Sequence, residues 1–217
     1  VRTIEPQNKV GLPPVEDFYK TQIMTSLNKL TLENFKEILN LFNDYILKCQ
    51  EFDTKYSEII CDMASQQRIF APIYSMFTAR ILSIVQNPEN IKKKLTELCL
   101  IDYTQMTEGI SLFIGSLVQD SVFDPQTVYN FMKKLNENPT EKKIELLYNM
   151  IIPSGEIIEL EISEAKSFFN NLFESAKKMK SRIRYLMSDL EECRGNHWNV
   201  QPLMPSPVSK KAKVDQI

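Results

Sequence analysis

The residues able to do covalent or metal chemistry are few and badly spaced. His197, the single histidine, stands beside Trp198 without a nearby cysteine or carboxylate cluster, so it makes neither a metal site nor a catalytic dyad. Cys49, Cys61, Cys99 and Cys193 lie 12, 38 and 94 residues apart with no CxxC pair, which points to buried free thiols in a reducing compartment. Gly109 and Gly115 sit inside a helical pattern with no Gly-Lys-Ser/Thr after them, so no phosphate-binding loop is expected. Glu191–Glu192 and Glu156–Glu159 read as solvated pairs, with no apolar surroundings to raise a carboxylate pKa for acid work. The expectation is a protein that is not an enzyme and holds no cofactor and no metal.

Docking chemistry is better represented. Residues 177–217 hold nine Lys or Arg against four acids, a charge of +5, on a chain whose net charge is −2; residues 1–176 therefore carry −7. A basic end on an acidic body suits RNA phosphates, an acidic protein surface, or a solvated face beside a tail. Within it, Ile183, Leu186, Met187 and Leu190 fall at offsets 0, 3, 4 and 7, one face of a helix. Tyr185 breaks that pattern: at about 100° per residue it lies about 200° from Ile183, turned outward between Arg182 and Arg184. Gly195 is expected to stop the helix by taking a positive φ, and Trp198 to pack the exit loop back on the helices before it.

The elements that must hold this helix are themselves helices. Gly is scarce, at 5, and 43% hydrophobic residues are enough for a core, so disorder is not expected for the bulk of the chain. A helix is expected over Val15–Asn28, then one capped by Thr31 with Leu32, Phe35, Leu39, Phe42 and Ile46 inside. Tyr56, Ile59, Ile60 and Met63 mark the next, and Pro72 opens one with Ile73, Met76, Phe77, Ile81 and Ile84 inside. Pro88, Pro125 and Thr140 start others, the last ended by Pro153 and Gly155, and Phe168, Phe169, Leu172 and Phe173 mark one more. First helices beginning near Leu32, Pro72, Thr104, Thr140 and Ser181 are 40, 32, 36 and 41 residues apart. That spacing predicts an all-α, HEAT-like α-solenoid of about five antiparallel helix pairs over residues 15–198. Residues 1–14 and the Pro-containing, basic stretch 199–217 read as tails. No run of about 18 apolar residues and no secretory leader occur, so neither a membrane span nor secretion is expected, and Val1 as first residue suggests a piece of something longer.

Two stretches, SLNKLTLENF from Ser26 and SRIRYLMSDLEECRGNHW from Ser181, resemble the two signature ends of the middle domain of translation initiation factor 4 gamma. GISLFIGSLVQDSVFDPQTVYNFMKKL from Gly109 is similar to the family's third repeat, ENPTEKKIELLYNMIIPSG to its fourth, and the terminal KAKVDQI to its exit. The resemblance implies a five-repeat HEAT solenoid that binds the DEAD-box RNA helicase initiation factor 4 alpha, biases its two lobes, contacts RNA and works in the cytoplasm. It places helicase contacts on Leu27, Leu30, Phe35, Tyr185 and Arg182, with Phe35 fitting a core position equally well. RNA contacts would fall on Lys177, Lys178, Arg184, Arg194, Lys210 and Lys211. A cap-binding protein would be met through regions outside this chain. The short join Cys99–Thr104 and the Asn199-Val200-Gln201 after the tryptophan depart from the family's pattern and set RNA contact behind helicase contact. Two other readings stand beside this one: a paralogous middle domain of a splicing, mRNA-decay or poly(A)-binding-protein partner, and a peptide-binding helical adaptor.

Overall fold

The computed structural model describes residues 15–198, which form ten α-helices and one 3-10 turn, with no strand among the described residues. In chain order these are α1 (Val15–Asn28), α2 (Phe35–Lys48), α3 (Phe52–Gln66), α4 (Ala71–Leu82), α5 (Pro88–Cys99) and α6 (Glu108–Gln119). Then follow α7 (Pro125–Asn136), α8 (Glu141–Glu161), α9 (Ala165–Ala176) and α10 (Ser181–Gly195); the 3-10 turn Arg68–Phe70 leads into α4. The described residues are all-α, as the composition implies. The two expected tails lie outside the described residues.

Side-chain caps set the starts of three helices, α6, α7 and α8. Thr107, Asp124 and Thr140 each accept a hydrogen bond from the backbone N–H three residues on, at 3.2, 2.8 and 3.4 Å. Each thereby satisfies a donor that the first helical turn leaves orphaned. Thr31 does the same one turn ahead of α2: its hydroxyl accepts from Asn34 N–H at 3.3 Å while Asn34 Oδ1 accepts from Thr31 N–H at 2.8 Å. The pair is a reciprocal cap with Asn in the place usually taken by Glu.

Packing then orders the helices. Along one line α2 packs on α4, α4 on α6, α6 on α8 and α8 on α10; along another α1 packs on α3 and α3 on α5. At the first end, Phe42 meets Phe77, Tyr45, Tyr56 and Phe52 at ring separations of 4.9, 5.2, 6.0 and 6.2 Å, all edge to face. Such pairs add to the burial of the rings themselves. In the middle, every residue of α6 from Gly109 to Val118 is buried, so this helix has no solvent face. It crosses α8 at Gly115, where a Cβ would lie 2.2 Å from the Met150 carbonyl oxygen and 2.7 Å from Pro153 Cγ.

Four expectations are corrected. Pro153 and Gly155 do not end α8, which runs on to Glu161. A proline inside a helix costs about 3 kcal/mol of propensity, and the burial of Met150, Ile151 and Ile158 around that crossing outweighs it. Ser154 Oγ donating to Met150 carbonyl oxygen at 2.7 Å fastens the same turn. Leu32, Met76 and Ile84 are 58, 43 and 40% exposed rather than inside, because a 3.6-residue period widens an apolar face beyond the stripe that packs. No described glycine has a positive φ; at the end of α10 it is His197 and Trp198, both at 56°, that turn the chain. Glu159 is not a solvated partner of Glu156: its side chain is 11% exposed and doubly bonded, as described next.

Candidate docking surface on the last helix

On α10, Ile183, Met187 and Leu190 are buried against α8 and α9, and Leu186 is half-buried beside them. Fixing that face to the body turns Tyr185 outward, 71% exposed. The N-terminal end of α10 is tied to the first turns of α8 by two ion pairs. Lys180 Nζ lies 3.0 Å from Glu141 Oε1, and Arg182 Nη1 lies 3.0 Å from Glu145 Oε1. Arg182 is 78% exposed in its side chain, so a partner can reach it in competition with Glu145. Lys178 and Arg184 are exposed, while Lys177 is paired with Glu174 one turn back in the chain, which raises the lysine's pKa. A cleft of about 380 Å³ opens beside Tyr185, with Phe173, Ala176 and Met187 as its apolar side and Lys177, Arg184 and Glu191 as its charged side.

Arg194 belongs to a different structure. Its Nη1 donates to Asn170 Oδ1 at 2.6 Å, its Nη2 meets Glu159 Oε1 at 2.5 Å, and its guanidinium stands 5.9 and 5.8 Å from the Phe169 and Phe173 rings. Only 20% of the side chain is exposed, so Arg194 is corrected from an RNA contact to a fastener of the α10 C-terminal end. The other oxygen of the same carboxylate, Glu159 Oε2, accepts from Trp198 Nε1 at 3.1 Å, and the indole packs edge-on to Phe169 at 5.8 Å. Trp198 therefore folds the exit loop back onto α8 and α9. Glu159, the hub of this latch, was not legible in the sequence, since nothing local links it to residues 35 and 39 positions away.

The first-repeat contacts fare unevenly. Leu27 and Leu30 are 1 and 2% exposed, packed with Ile23 into the core, so their side chains are not available to a partner; this corrects their assignment as helicase contacts. Leu27 belongs to α1, which packs on α3, and the turn that follows the helix, with Leu30 N–H donating to Leu27 carbonyl oxygen at 3.1 Å, brings Leu30 in beside it. Phe35 is half-buried, edge-on to Phe77 at 5.3 Å, and walls an open groove of about 1,090 Å³ along α2 and α4. Exposed Leu32 and Met76, with Leu39 and Ala79, continue that wall, and Asp120 stands at its α6 end. Lys210 and Lys211 lie outside the described residues.

The remaining reactive side chains are placed for packing. Cys61 and Cys99 are buried with their sulfurs 3.5 Å apart, and that contact together with burial holds the Cys99 thiol well above its usual pKa. Burial also pushes the Tyr56 hydroxyl up while Thr78 Oγ1 sits 2.8 Å from it. Among the described residues no group of three or more His, Cys, Asp or Glu is placed to hold a metal ion, and no helix is long and apolar enough to cross a membrane.

No protein-family model matches the chain, and no curated protein is similar enough to it to count as a relative.

Proposed function

We propose that this chain is a HEAT-like helical scaffold that docks a DEAD-box RNA helicase of the initiation factor 4 alpha type, in the manner its two end motifs imply. The observation that carries the reading is Tyr185: a tyrosine 71% exposed on a helix whose opposite face holds the buried Ile183, Met187 and Leu190, with a cleft beside it that Lys177 and Arg184 line and Arg182 three residues before it on the helix. Tyr and Arg are the residue types that dominate the anchor contacts of protein interfaces, and here they stand together on one exposed helix face. The continuous line α2–α4–α6–α8–α10 supports a solenoid of stacked helix pairs, in which each first helix lies on the next. Phe35 and Leu32 then offer a second contact at the far end of that line. Two contacts so far apart on one rigid body bias a two-lobed helicase toward the arrangement that satisfies both.

RNA contact falls to Lys178, Arg184 and the exposed Lys177, whose surface pair with Glu174 a phosphate can displace, since Arg194 is fastened to Glu159. Binding of a single-stranded RNA oligonucleotide should therefore be weak and should fall with salt at a shallow slope, log K changing by about −0.7 per phosphate contact for each decade of salt. A salt-independent RNA affinity would contradict that part of the reading. For the helicase, a binding titration of the chain against initiation factor 4 alpha, wild type beside Tyr185→Ala, is the direct test.

A further inference from the structure

A separate groove, of about 630 Å³, lies where the corner between α2 and α3 meets the corner between α4 and α5. Its apolar wall is left open: Leu47 is 80% exposed and Ile84 40%, and Phe52 and Val85 line the same groove. Such a patch favours a segment that takes it out of water. The charged residues that line it, Glu51 and Asp53, are both acidic. Neither has an ion pair among the described residues; the Asp53 carboxyl only accepts from Asn90 Nδ2 at 3.1 Å. The chain enters α1 at this same end of the fold. Asn28, the last residue of α1, accepts from Gln67 Nε2 at 3.0 Å, just past the end of α3. Tyr19, one turn inside α1, lies 6.3 Å ring to ring from Tyr45 in the last turn of α2. With α1 packed on α3, the two helices therefore run the same way, and Val15 lies at the end where α3 begins. Residues 1–14, VRTIEPQNKVGLPP, precede it and hold Val1, Ile4, Val10 and Leu12, with Arg2 and Lys9 against Glu5. The chain from Lys9 to Val15 spans up to about 20 Å, about twice the separation of two packed helices.

We propose that this chain's own residues 1–14 dock in the groove, with Val10 and Leu12 against Leu47 and Ile84 and with Lys9 facing Glu51 and Asp53. Three features select this occupant: it emerges at the right end, it is long enough, and its net charge is opposite to that of the groove. In an extended segment Val10 and Leu12 share one face and Lys9 lies on the other. The apolar pair then meets the wall while the ammonium reaches the acidic rim. Burial of Leu47 and Ile84 drives the docking; the rim ion pairs, being exposed, set the register more than the strength. So seated, the segment straps the α2–α3 corner to the α4–α5 corner and joins the first helix pairs at one end. None of these residues belongs to the proposed helicase contacts.

The test is zero-length carbodiimide cross-linking of the full chain in dilute solution, with the linked peptides of the monomer identified by mass spectrometry. Lys9 is expected to join Glu51 or Asp53 in preference to the other carboxylates distant from it in sequence. Tryptic cleavage after Lys9 in the native full chain gives a second reading. It should be at least about tenfold faster in Leu47→Asp than in wild type, because cleavage follows the population of the undocked segment. Leu47 is 80% exposed, so the variant is expected to fold, which circular dichroism checks. No link from Lys9 to Glu51 or Asp53 in the monomer, links spread evenly over distant carboxylates, or equal cleavage of the two folded proteins would overturn the proposal. So would links to Glu51 or Asp53 that appear only in a covalent dimer, since a second copy would then fill the groove.

Discussion

The Trp198 indole lies so close over Gly155 that a methyl group there has no room: a Cβ on Gly155 would lie 2.4 Å from one ring carbon of Trp198 and 2.5 Å from the next. With Glu159 Oε2 accepting the indole N–H at 3.1 Å one turn further along α8, the two positions fix the exit from α10. Gly155→Ala should push the ring out of this seat and lower stability by about 1–3 kcal/mol. Trp198 is the only tryptophan in the chain, so its emission reports the seat directly. A red-shifted emission maximum in the folded variant is expected; an unchanged spectrum would show that the indole does not rest on Gly155.

The α6–α8 crossing makes a similar demand with less freedom to relax. At Gly115 the obstructing atom is the Met150 carbonyl oxygen, which would lie 2.2 Å from an added methyl and belongs to backbone that α8 holds in place. Gly115→Ala should therefore cost about 2–4 kcal/mol, comparable to the loss of a large core side chain. Thermal unfolding followed by circular dichroism checks this, and a variant melting within about 1–2 °C of wild type, the spread of surface substitutions in a chain of this size, would contradict it.

These two contacts mark where sequence reading stops. The helices themselves were legible, because Ile183, Met187 and Leu190 repeat at helical spacing and bury as that spacing requires. The packed face was not always so, since in α2 the buried set Ile38, Phe42 and Tyr45 shares only Phe42 with the expected Leu32, Phe35, Leu39, Phe42 and Ile46. Tyr185 was legible for the same reason, as the residue that the wheel turns outward. The Glu159–Arg194–Trp198 latch was not, since it joins residues 35 and 39 positions apart that carry no local pattern. Leu27 and Leu30 misled because they precede the second helix in sequence and look unconstrained, while the packing of α1 on α3 buries Leu27 and the turn after α1 carries Leu30 into the core. Pro153 misled because its local preference to end a helix is outweighed by packing on α6.

Ser121 adopts φ 60°, the left-handed conformation that costs a residue with a Cβ about 1 kcal/mol. Ser121→Gly should remove that strain and keep the Schellman turn, raising the melting temperature by about 2–4 °C for a chain of this length. Ser121→Val should lower it. The reverse order would show that the turn is held by the serine side chain instead.

Asp120 gives the protein a defined response to pH. Burial raises its folded-state pKa above the ordinary 3.8, with the Ser75 hydroxyl pulling it partly back. For an acid shifted this way, stability is fully present below pH 3.8, is lost as pH rises through the folded value, and stays lost at neutrality. Asp120→Asn should therefore melt above wild type at about pH 7, and its advantage should shrink as the pH falls through the raised folded value and be gone below 3.8. An advantage that grows at acid pH would invert the sign and refute the burial of this carboxyl.

The central claim is tested most directly by isothermal titration of the chain with initiation factor 4 alpha, wild type against Tyr185→Ala, both confirmed as folded by circular dichroism. Binding of wild type at micromolar concentration is expected, weakened in Tyr185→Ala by about 1–3 kcal/mol, as for the loss of an interface anchor, with the melting temperature unchanged because the side chain is 71% exposed. No heat of binding by the folded wild-type chain at micromolar helicase, or equal affinity in the variant, would contradict it.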